Sequence, residues 1–332
     1  MEQPFAMSKP RLPTHAGDAW ECSFLFDAAR DVRALSCRGG MVLAGGEEMY
    51  LLRPGAQKMA SRAPPLDIGP IRAVAAEPRA PWRYAVASEE LVAVFYRNNA
   101  GDQILRLRCN PPGPAATHLA WGRSGGVSTL YVRWDDGAIL RVAPDMSGGE
   151  ALDFPPMDAI AADQAGVLAL VSFDADEPLA YFTRDGEALQ FRPLPRDLVV
   201  EPDQRVHLAV ADEAVAFAIA DGGVFVSRAH ATPFVLSEPL AKAGPIEFAG
   251  ASSDAALFGA TNGAEGISLL RVDAAGDAVL IAELGADNGP PPALVALGWD
   301  ASRRVLWGAS PQVGIVSCTA PSAKGAKKPL LS

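Results

Sequence analysis

The sequence repeats one short segment seven times, and this repeat constrains the fold more than any other feature. Most copies have an apolar residue, then a charged residue or a histidine, then four small or apolar residues. The copies begin at residues 32, 71, 117, 157, 206, 246 and 294. Successive copies are 39 to 49 residues apart, about 44 on average. A period of this length is typical of proteins built from similar units placed side by side.

Each unit continues with further short apolar runs that are separated by turn residues. In the third unit an Asp-Asp-Gly turn at 135–137 separates the runs 127–134 and 138–143. Asp and Gly reach positive φ at low cost, so such turns indicate β-hairpins. Four short strands in each unit are typical of a β-propeller blade, and seven units predict an all-β, seven-bladed β-propeller. The competing fold, a pair of β-sandwiches, does not require seven copies of one segment.

The seventh unit lacks a fourth strand, and the N-terminal part of the chain offers one. Trp20, Cys22, Phe24 and Phe26 alternate with Glu21, Ser23 and Leu25, and a period of two residues is typical of a strand. We therefore expect residues 20–26 to pair beside residues 313–318. This pairing would complete the last four-stranded antiparallel blade and close the ring, which removes two exposed sheet edges.

The closed ring gives the expected domain organisation. Residues 20–319 form one β-propeller domain, and residues 1–19 form a flexible N-terminal tail. Residues 320–332 form a flexible tail that carries Lys324, Lys327 and Lys328. Both ends lack apolar periodicity, which is typical of segments outside a packed domain.

Cysteine content indicates the expected compartment, and the excess of Arg over Lys indicates the expected kind of source. Four cysteines, at 22, 37, 109 and 318, are too few for a disulfide framework, so we expect reduced, mostly buried thiols in a cytoplasmic protein. The predicted pairing puts Cys22 and Cys318 on neighbouring strands, where a bond requires Cα atoms within about 7 Å. In a reducing cytosol we expect these two thiols to be free. The excess of Arg over Lys, with abundant Ala, Gly and Pro, is typical of bacteria with GC-rich genomes.

Net charge and apolar run lengths exclude several partners. The formal net charge is −10, so the clustered positive charge that binds nucleic acid or an anionic membrane is not expected. We see no signal peptide among the first twenty residues, and no apolar run approaches the roughly 18 residues that a membrane span needs. The sequence does not fix the oligomeric state and is compatible with a monomer.

Residues 294–318 read as strand, turn, strand, turn and strand in succession. In this rhythm the chain resembles the WD-repeat propeller family, and the match is best over this segment. Two Trp-Asp pairs, at 134–135 and 299–300, lie at the entrances of turns, and the chain contains no Gly-His dipeptide. The resemblance covers about residues 20–319 and is periodic. It implies a rigid, usually non-catalytic platform that docks a partner, and the expected partner is another protein.

The second position of the repeated segment is the main candidate binding site. It carries an ionisable side chain in six of the seven copies: Arg33, Arg72, His118, Asp158, His207 and Glu247. In a propeller the first strand of each blade lines the central channel, so these residues would form one polar ring at the same depth. Such a ring could select a charged partner, with the histidines titrating near neutral pH. Residues that face a channel also touch water, and ordinary solvation explains their polarity equally well.

Local motifs for catalysis, cofactors and metals are absent from the sequence. We find no nucleophile elbow, no phosphate-binding glycine loop and no pair of cysteines or histidines at zinc-ligand spacing. We therefore expect no catalytic residues, no cofactor and no metal. An interface through exposed loops is a further candidate. It would include Trp82 with Arg79 and Arg83, and Arg97 in an insert at 96–112 that we expect to be a loop.

Three functions remain open at this point. The first is a non-catalytic interaction scaffold that binds a partner through one face or through the channel mouth. The second is a channel-centred hydrolase of the lactone or ester class, in which His118, Asp158, His207 and Glu247 hold a metal or act as acid and base. The third is a purely structural subunit of a larger assembly.

Overall fold

The computed structural model describes most of the chain between residues 20 and 321. The described residues are 20–24, 31–38, 40–53, 56, 60–62, 69–80, 83–98, 101–108, 115–143, 147–163, 166–173, 179–184, 187–194, 206–211, 214–219, 223–227, 235–236, 249–253, 256–263, 266–272, 278–284, 293–312 and 314–321. The predicted N-terminal tail and nearly all of the predicted C-terminal tail lie outside them. So do Trp82 and Glu247.

The described secondary structure consists of strands, which form seven four-stranded antiparallel sheets. In chain order the strands are β1 (Glu21–Phe24), β2 (Ala34–Arg38), β3 (Met41–Gly45), β4 (Met49–Leu52), β5 (Ala60–Arg62), β6 (Ala73–Ala76), β7 (Tyr84–Ala87), β8 (Leu91–Asn98), β9 (Gly101–Arg108), β10 (Ala116–Ser124), β11 (Val127–Trp134), β12 (Ile139–Val142), β13 (Gly149–Ala151), β14 (Ala159–Ala162), β15 (Leu168–Ser172), β16 (Leu179–Arg184), β17 (Glu187–Pro193), β18 (Val206–Ala211), β19 (Ala214–Ile219), β20 (Gly223–Ser227), β21 (Val235–Leu236), β22 (Ala249–Ser253), β23 (Ala256–Gly263), β24 (Gly266–Val272), β25 (Ala278–Leu284), β26 (Ala296–Asp300), β27 (Val305–Ser310) and β28 (Gly314–Thr319). The predicted all-β, antiparallel architecture is confirmed.

Six sheets follow the chain order, and the seventh does not. Sheets 1 to 6 each contain four consecutive strands, beginning with β2–β5 and ending with β22–β25. Sheet 7 has the order β1-β28-β27-β26, so its outer strand comes from the N-terminal part of the chain. The first strands of successive sheets contact one another, and β26 of sheet 7 contacts β2 of sheet 1.

The pairing predicted for the N-terminal strand is present between β1 and β28. Cys22 lies opposite Cys318, and Phe24 lies opposite Val316. The hydroxyl groups of Ser23 and Ser317 form a hydrogen bond of 3.0 Å. Trp20, just before β1, contacts the rings of Phe258 and Trp299. Apolar packing and pairing therefore both hold this short strand in place.

The expectation of free thiols at Cys22 and Cys318 is wrong. The two sulfur atoms are bonded, and the Cα atoms are 4.0 Å apart. Directly opposite residues on adjacent antiparallel strands lie close enough for this bond, which was the geometric condition for it. Cys37 has a free, buried thiol, as expected.

The hydrophobic core is divided into layers that lie between neighbouring sheets. Leu43 of sheet 1 packs with Ile71 and Val86 of sheet 2, and similar clusters join sheets 2 and 3, 3 and 4, 4 and 5, 6 and 7, and 7 and 1. Alternate residues of a strand face opposite sides, so a sheet with apolar residues on both faces packs against two neighbours. This explains why the strands carry continuous apolar runs.

The predicted loop at 96–112 is largely a β-hairpin instead. Most of this segment belongs to β8 and β9, in which Val92 pairs with Leu107 and Val94 pairs with Leu105. Leu105 and Leu107 alternate with arginines, and this period of two is the strand signal that the loop assignment overlooked. Arg97 lies in β8, opposite Asp102.

Candidate functional site

The candidate ring residues hold equivalent backbone positions in different sheets. The backbone N–H groups of Arg33, Arg72 and Asp158 donate to the carbonyls of Gly45, Ala87 and Val171, respectively. Each acceptor lies on the second strand of its sheet, and each donor directly precedes the first strand of the same sheet. His118 and His207 lie within their first strands, opposite Arg133 and Ala218. The repeat therefore places these side chains at the same end of the first strands.

The two arginines of the ring form exposed ion pairs. The Nε atom of Arg33 lies 2.7 Å from the Asp31 carboxylate, and Arg72 pairs with Glu89. The side chains of Arg33 and Arg72 keep 64% and 44% of their surface accessible. Exposed pairs of this kind contribute little to stability, typically below about 1 kcal/mol. Both cations consequently remain accessible to a partner.

Arg133, a residue that the sequence did not single out, forms hydrogen bonds with the residues that directly precede His118 and Asp158. The Arg133 guanidinium donates to the Thr117 hydroxyl at 2.6 Å and to the Met157 carbonyl at 2.5 Å. The His118 ring lies 3.2 Å from the same hydroxyl. The Asp158 carboxylate accepts the backbone N–H of Phe173 at 2.7 Å.

Burial lowers the pKa of the Arg133 guanidinium, and the nearby carboxylates of Asp158, Asp135 and Asp136 act in the opposite direction. Arg133 belongs to sheet 3 and Asp158 precedes the first strand of sheet 4. The cluster therefore joins two sheets by charge and hydrogen bonds.

A cavity of about 160 Å³ lies between the first strands. Its described lining comes from β2, β6, β10, β14, β18 and β26, and includes Ser36, Arg38, Trp121 and Trp299. None of the five described ring residues lines it. The cavity is bordered by residues that follow the ring positions along the same strands.

The predicted loop interface is only partly described. Arg79 is exposed. Arg83 lies 3.5 Å from the buried Glu77 carboxylate, and its guanidinium stacks 5.0 Å above the ring of Trp121. Arg83 is thus engaged within the fold, and its role in an interface stays a prediction. The side chain of Arg97 lies outside the described part of the structure.

A second set of charged residues occurs five positions after the second position of the repeated segment, and the sequence-based prediction overlooked it. Its described members are Arg38, Glu77, Arg123, Asp163 and Asp300. Asp163 accepts the Val167 N–H at 2.8 Å, and Asp300 accepts the N–H of Ser302 at 3.0 Å. These acids cap the turns that connect the first and second strands, as short acidic side chains often do. The sequence alone could have revealed this set, because the repeated segments carry charged residues at this position too.

Across the described residues, no three His, Cys, Asp or Glu side chains form a group that could hold a metal ion. The same part of the chain contains no helix with the length and hydrophobicity to span a membrane.

The comparisons with known proteins identify the fold. No family model and no curated protein matches the sequence. Similar solved structures are those of propeller proteins. This protein has a β-propeller-like fold.

Three of these structures cover nearly the whole chain. A chain of the "Crystal Structure of Mitotic Checkpoint Complex" has a TM-score of 0.62 and 12% identity, with 96% of each chain covered. The structure of BBS1N in complex with ARL6DN has a TM-score of 0.60 and 16% identity, covering 93% of this chain and 99% of the other. The structure of YCF48 bound to D1 peptide has a TM-score of 0.60 and 12% identity, with the same coverage. At such low identities the likeness concerns the fold alone.

Proposed function

We propose that this protein is a non-catalytic, protein-interaction scaffold, built as a WD-repeat-like propeller with seven blades. In this proposal each four-stranded sheet is one blade, and the N-terminal strand closes the ring through sheet 7. The contacts between successive first strands, including that between β26 and β2, support the ring. The structures that resemble this chain include one of a protein in complex with another protein and one of a protein bound to a peptide.

The observation that carries the proposal is the shared register of the ring positions. Arg33 and Arg72 directly precede equivalent strands in neighbouring sheets, and both side chains are exposed. A scaffold with an apolar core that presents the Arg33 and Arg72 guanidinium groups from equivalent positions favours a partner with an acidic surface. We therefore place the docking surface at the end of the first strands that carries Arg33, Arg72, His118, Asp158 and His207. Glu247, the sixth candidate, lies outside the described residues.

Charge reversal tests this surface. The tagged wild-type protein and an Arg33→Glu/Arg72→Glu variant would be used for quantitative affinity purification from the source cells. The control is Arg141→Glu, because Arg141 also forms an exposed ion pair, with Glu150, but lies on the third strand of sheet 3. We expect the double variant to lose a partner that the wild type and the control both retain. Equal recovery by all three proteins would contradict the assignment of this surface.

The loop interface is a second part of the same proposal. Trp82→Ala tests it independently of the ring, in the same purification. A partner that is lost with Trp82→Ala but retained by Arg33→Glu/Arg72→Glu would move the docking surface to the loop that contains Arg79 and Arg83.

The Cys22–Cys318 bond bears on the expected cytoplasmic location. Disulfides persist mainly in oxidising compartments, so this bond argues against a reducing cytosol. Counting the free thiols of protein that is trapped with an alkylating reagent during cell lysis distinguishes the two cases. Alkylation of Cys22 and Cys318 would support the cytoplasm, and protection of both would support an oxidising compartment.

A further inference from the structure

Six arginines are exposed in the part of the chain that the structure describes, and four of them have no ion-pair partner there. Arg33 and Arg72 are the two that pair with a carboxylate. The sheets that carry the other four are consecutive, because the first strands of sheets 6, 7, 1 and 2 contact one another in that order. The unpaired residues are Arg271 of sheet 6, Arg304 of sheet 7, Arg53 of sheet 1 and Arg79 of sheet 2.

These unpaired arginines lie at the end of the sheets that is opposite to the ring positions. Arg79 and Arg304 belong to the turns that follow the first strands, whereas the ring positions lie where the first strands begin. Arg53 directly follows the third strand of sheet 1, and Arg271 is the last residue but one of the third strand of sheet 6. In an antiparallel sheet the third strand ends where the first strand ends. Arg303 agrees with this placement, since it donates from the turn of sheet 7 to the Arg53 carbonyl at 2.8 Å.

The carboxylates of the same turns do not neutralise the exposed arginines. Glu77 is buried and lies 3.5 Å from Arg83, and Asp300 is buried and pairs with Arg303 at 2.5 Å. One exposed carboxylate is described at this end of the four sheets, that of Glu21 on the outer strand of sheet 7. The described surface here is therefore mainly positive, although the formal net charge of the chain is −10.

Arg304 also has a backbone conformation that a long side chain rarely adopts. Its φ is 55°, in the left-handed region, where Gly and Asn are less strained. The carbonyl of Arg304 accepts the N–H of Ala320 at 2.8 Å, which helps to hold this turn. Strained residues of this kind are concentrated at binding sites, so the conformation supports a role for the exposed guanidinium.

We infer that Arg53, Arg79, Arg271 and Arg304, which we call the arginine arc, dock an acidic segment of a protein partner. A guanidinium can bind a carboxylate through two parallel hydrogen bonds, and these four have no carboxylate of their own. A nucleic acid or an anionic membrane fits less well, because it would extend past the arc over a chain of strongly negative net charge. The inference rests in part on the proposed function, since Arg79 belongs to the proposed loop interface, and it adds the chemistry of the partner.

The test uses a fluorescent decaglutamate peptide as the probe and decaglutamine as its neutral control. Both are titrated into the full-length protein, and binding is followed by fluorescence anisotropy at low and at physiological ionic strength. We expect decaglutamate to bind with an affinity that falls as salt is added, and decaglutamine not to bind. Absence of decaglutamate binding, or equal binding of the two peptides, would overturn the inference.

A triple variant locates the site. Arg53→Gln/Arg79→Gln/Arg304→Gln removes three charges of the arc and leaves the backbone hydrogen bonds of Arg53 and Arg304 available. We expect it to bind decaglutamate about tenfold more weakly than the wild type does, with an unchanged melting temperature. Wild-type affinity in this variant would place the decaglutamate site elsewhere and overturn the inference.

The matched control is Arg33→Gln/Arg72→Gln/Arg141→Gln, which has the same net charge and leaves the arc intact. We expect it to keep most of the wild-type affinity. An equal loss in both triple variants would mean that net charge alone governs binding, which would overturn the arc. A loss in the control alone would also overturn the arc, but would support the docking surface proposed at the ring positions.

Two further probes test the class of partner. A decathymidylate oligonucleotide and phosphatidylglycerol vesicles are titrated into the wild type and into the arc variant under the same conditions. We expect both to bind more weakly than decaglutamate. Tighter binding of either probe, lost in the arc variant, would overturn the assignment of an acidic protein segment.

Discussion

Cys22 and Cys318 form a disulfide between two adjacent strands, although 296 residues separate them in the sequence. Cys22 belongs to β1, and Cys318 belongs to β28 of the same sheet. The bond therefore links the first described strand of the chain to the last one. A covalent link across nearly the whole chain restricts the unfolded state strongly.

We predict that reduction of this bond lowers the free energy of unfolding by about 2–5 kcal/mol. The measurement is urea denaturation of the wild type with and without a dithiol reductant. A Cys22→Ser/Cys318→Ser variant should resemble the reduced wild type and should not respond to the reductant. Coincident transitions of oxidised and reduced wild-type protein would contradict this prediction.

Deletion of residues 1–26 should leave the protein unfolded or aggregated. The deletion removes β1, exposes the edge of β28, and removes the contacts of Trp20 with Phe258 and Trp299. Size-exclusion chromatography and thermal melting provide the measurement. Deletion of residues 1–19 is the control and should melt as the full-length protein does. A 1–26 deletion with the melting temperature of the reduced wild type would show that β1 is dispensable.

Arg303 joins sheet 7 to sheet 1, and its loss should be costly. Its guanidinium pairs with the buried Asp300 carboxylate at 2.5 Å and donates to the carbonyls of Gly40 at 2.6 Å and Arg53 at 2.8 Å. Arg303→Met leaves Asp300 with less compensation for its charge, so we expect a loss of about 3–5 kcal/mol. Arg141→Met, at an exposed pair, should lose less than about 1 kcal/mol. Similar losses of unfolding free energy for both variants in chemical denaturation would contradict this role of Arg303 in joining sheets 7 and 1.

The repeat made much of the fold predictable from sequence. The seven repeated segments and the Asp-Gly turns can be recognised directly in the sequence, and they correctly indicated short antiparallel strands. The alternation of Trp20, Cys22 and Phe24 also indicated β1 and its pairing with the last strand. These predictions depend on residue patterns along the chain and on the rule that a sheet edge needs a partner.

The contacts between sheets were not predictable in the same way. Arg133 reaches the Met157 carbonyl of the next sheet, and Arg303 reaches Gly40 across 263 positions in the chain. These bonds depend on the relative placement of two sheets, which a repeat does not specify. The bond between Cys22 and Cys318 was expected to be absent because composition suggested a reducing compartment. The predicted strand pairing, which placed Cys22 beside Cys318, was the observation that indicated the bond.

Gly298 and Cys37 should be energetically coupled across the contact between β26 and β2. A Cβ atom at residue 298 would lie 2.5 Å from the Cys37 sulfur, so Gly298→Ala requires one of the strands to move. We expect this variant to lose about 1–3 kcal/mol of stability. Cys37→Ala removes the sulfur, and the double variant should recover part of that loss. Additive losses within about 0.5 kcal/mol in a double-mutant cycle would contradict the close approach.

Cys37 should also make stability depend on pH in the alkaline range. Burial raises the pKa of its thiol well above the ordinary value of 9.0; Asp300 adds to this shift, and Arg38 and Arg303 oppose it. The folded protein therefore keeps a proton that the unfolded chain releases, so the free energy of unfolding falls as the pH rises above about 9. The slope from this group should approach about 1.4 kcal/mol per pH unit. In denaturation series across this range, Cys37→Ala should show a slope smaller by that amount, and an equal slope would mean that the folded protein releases the Cys37 proton as readily as the unfolded chain.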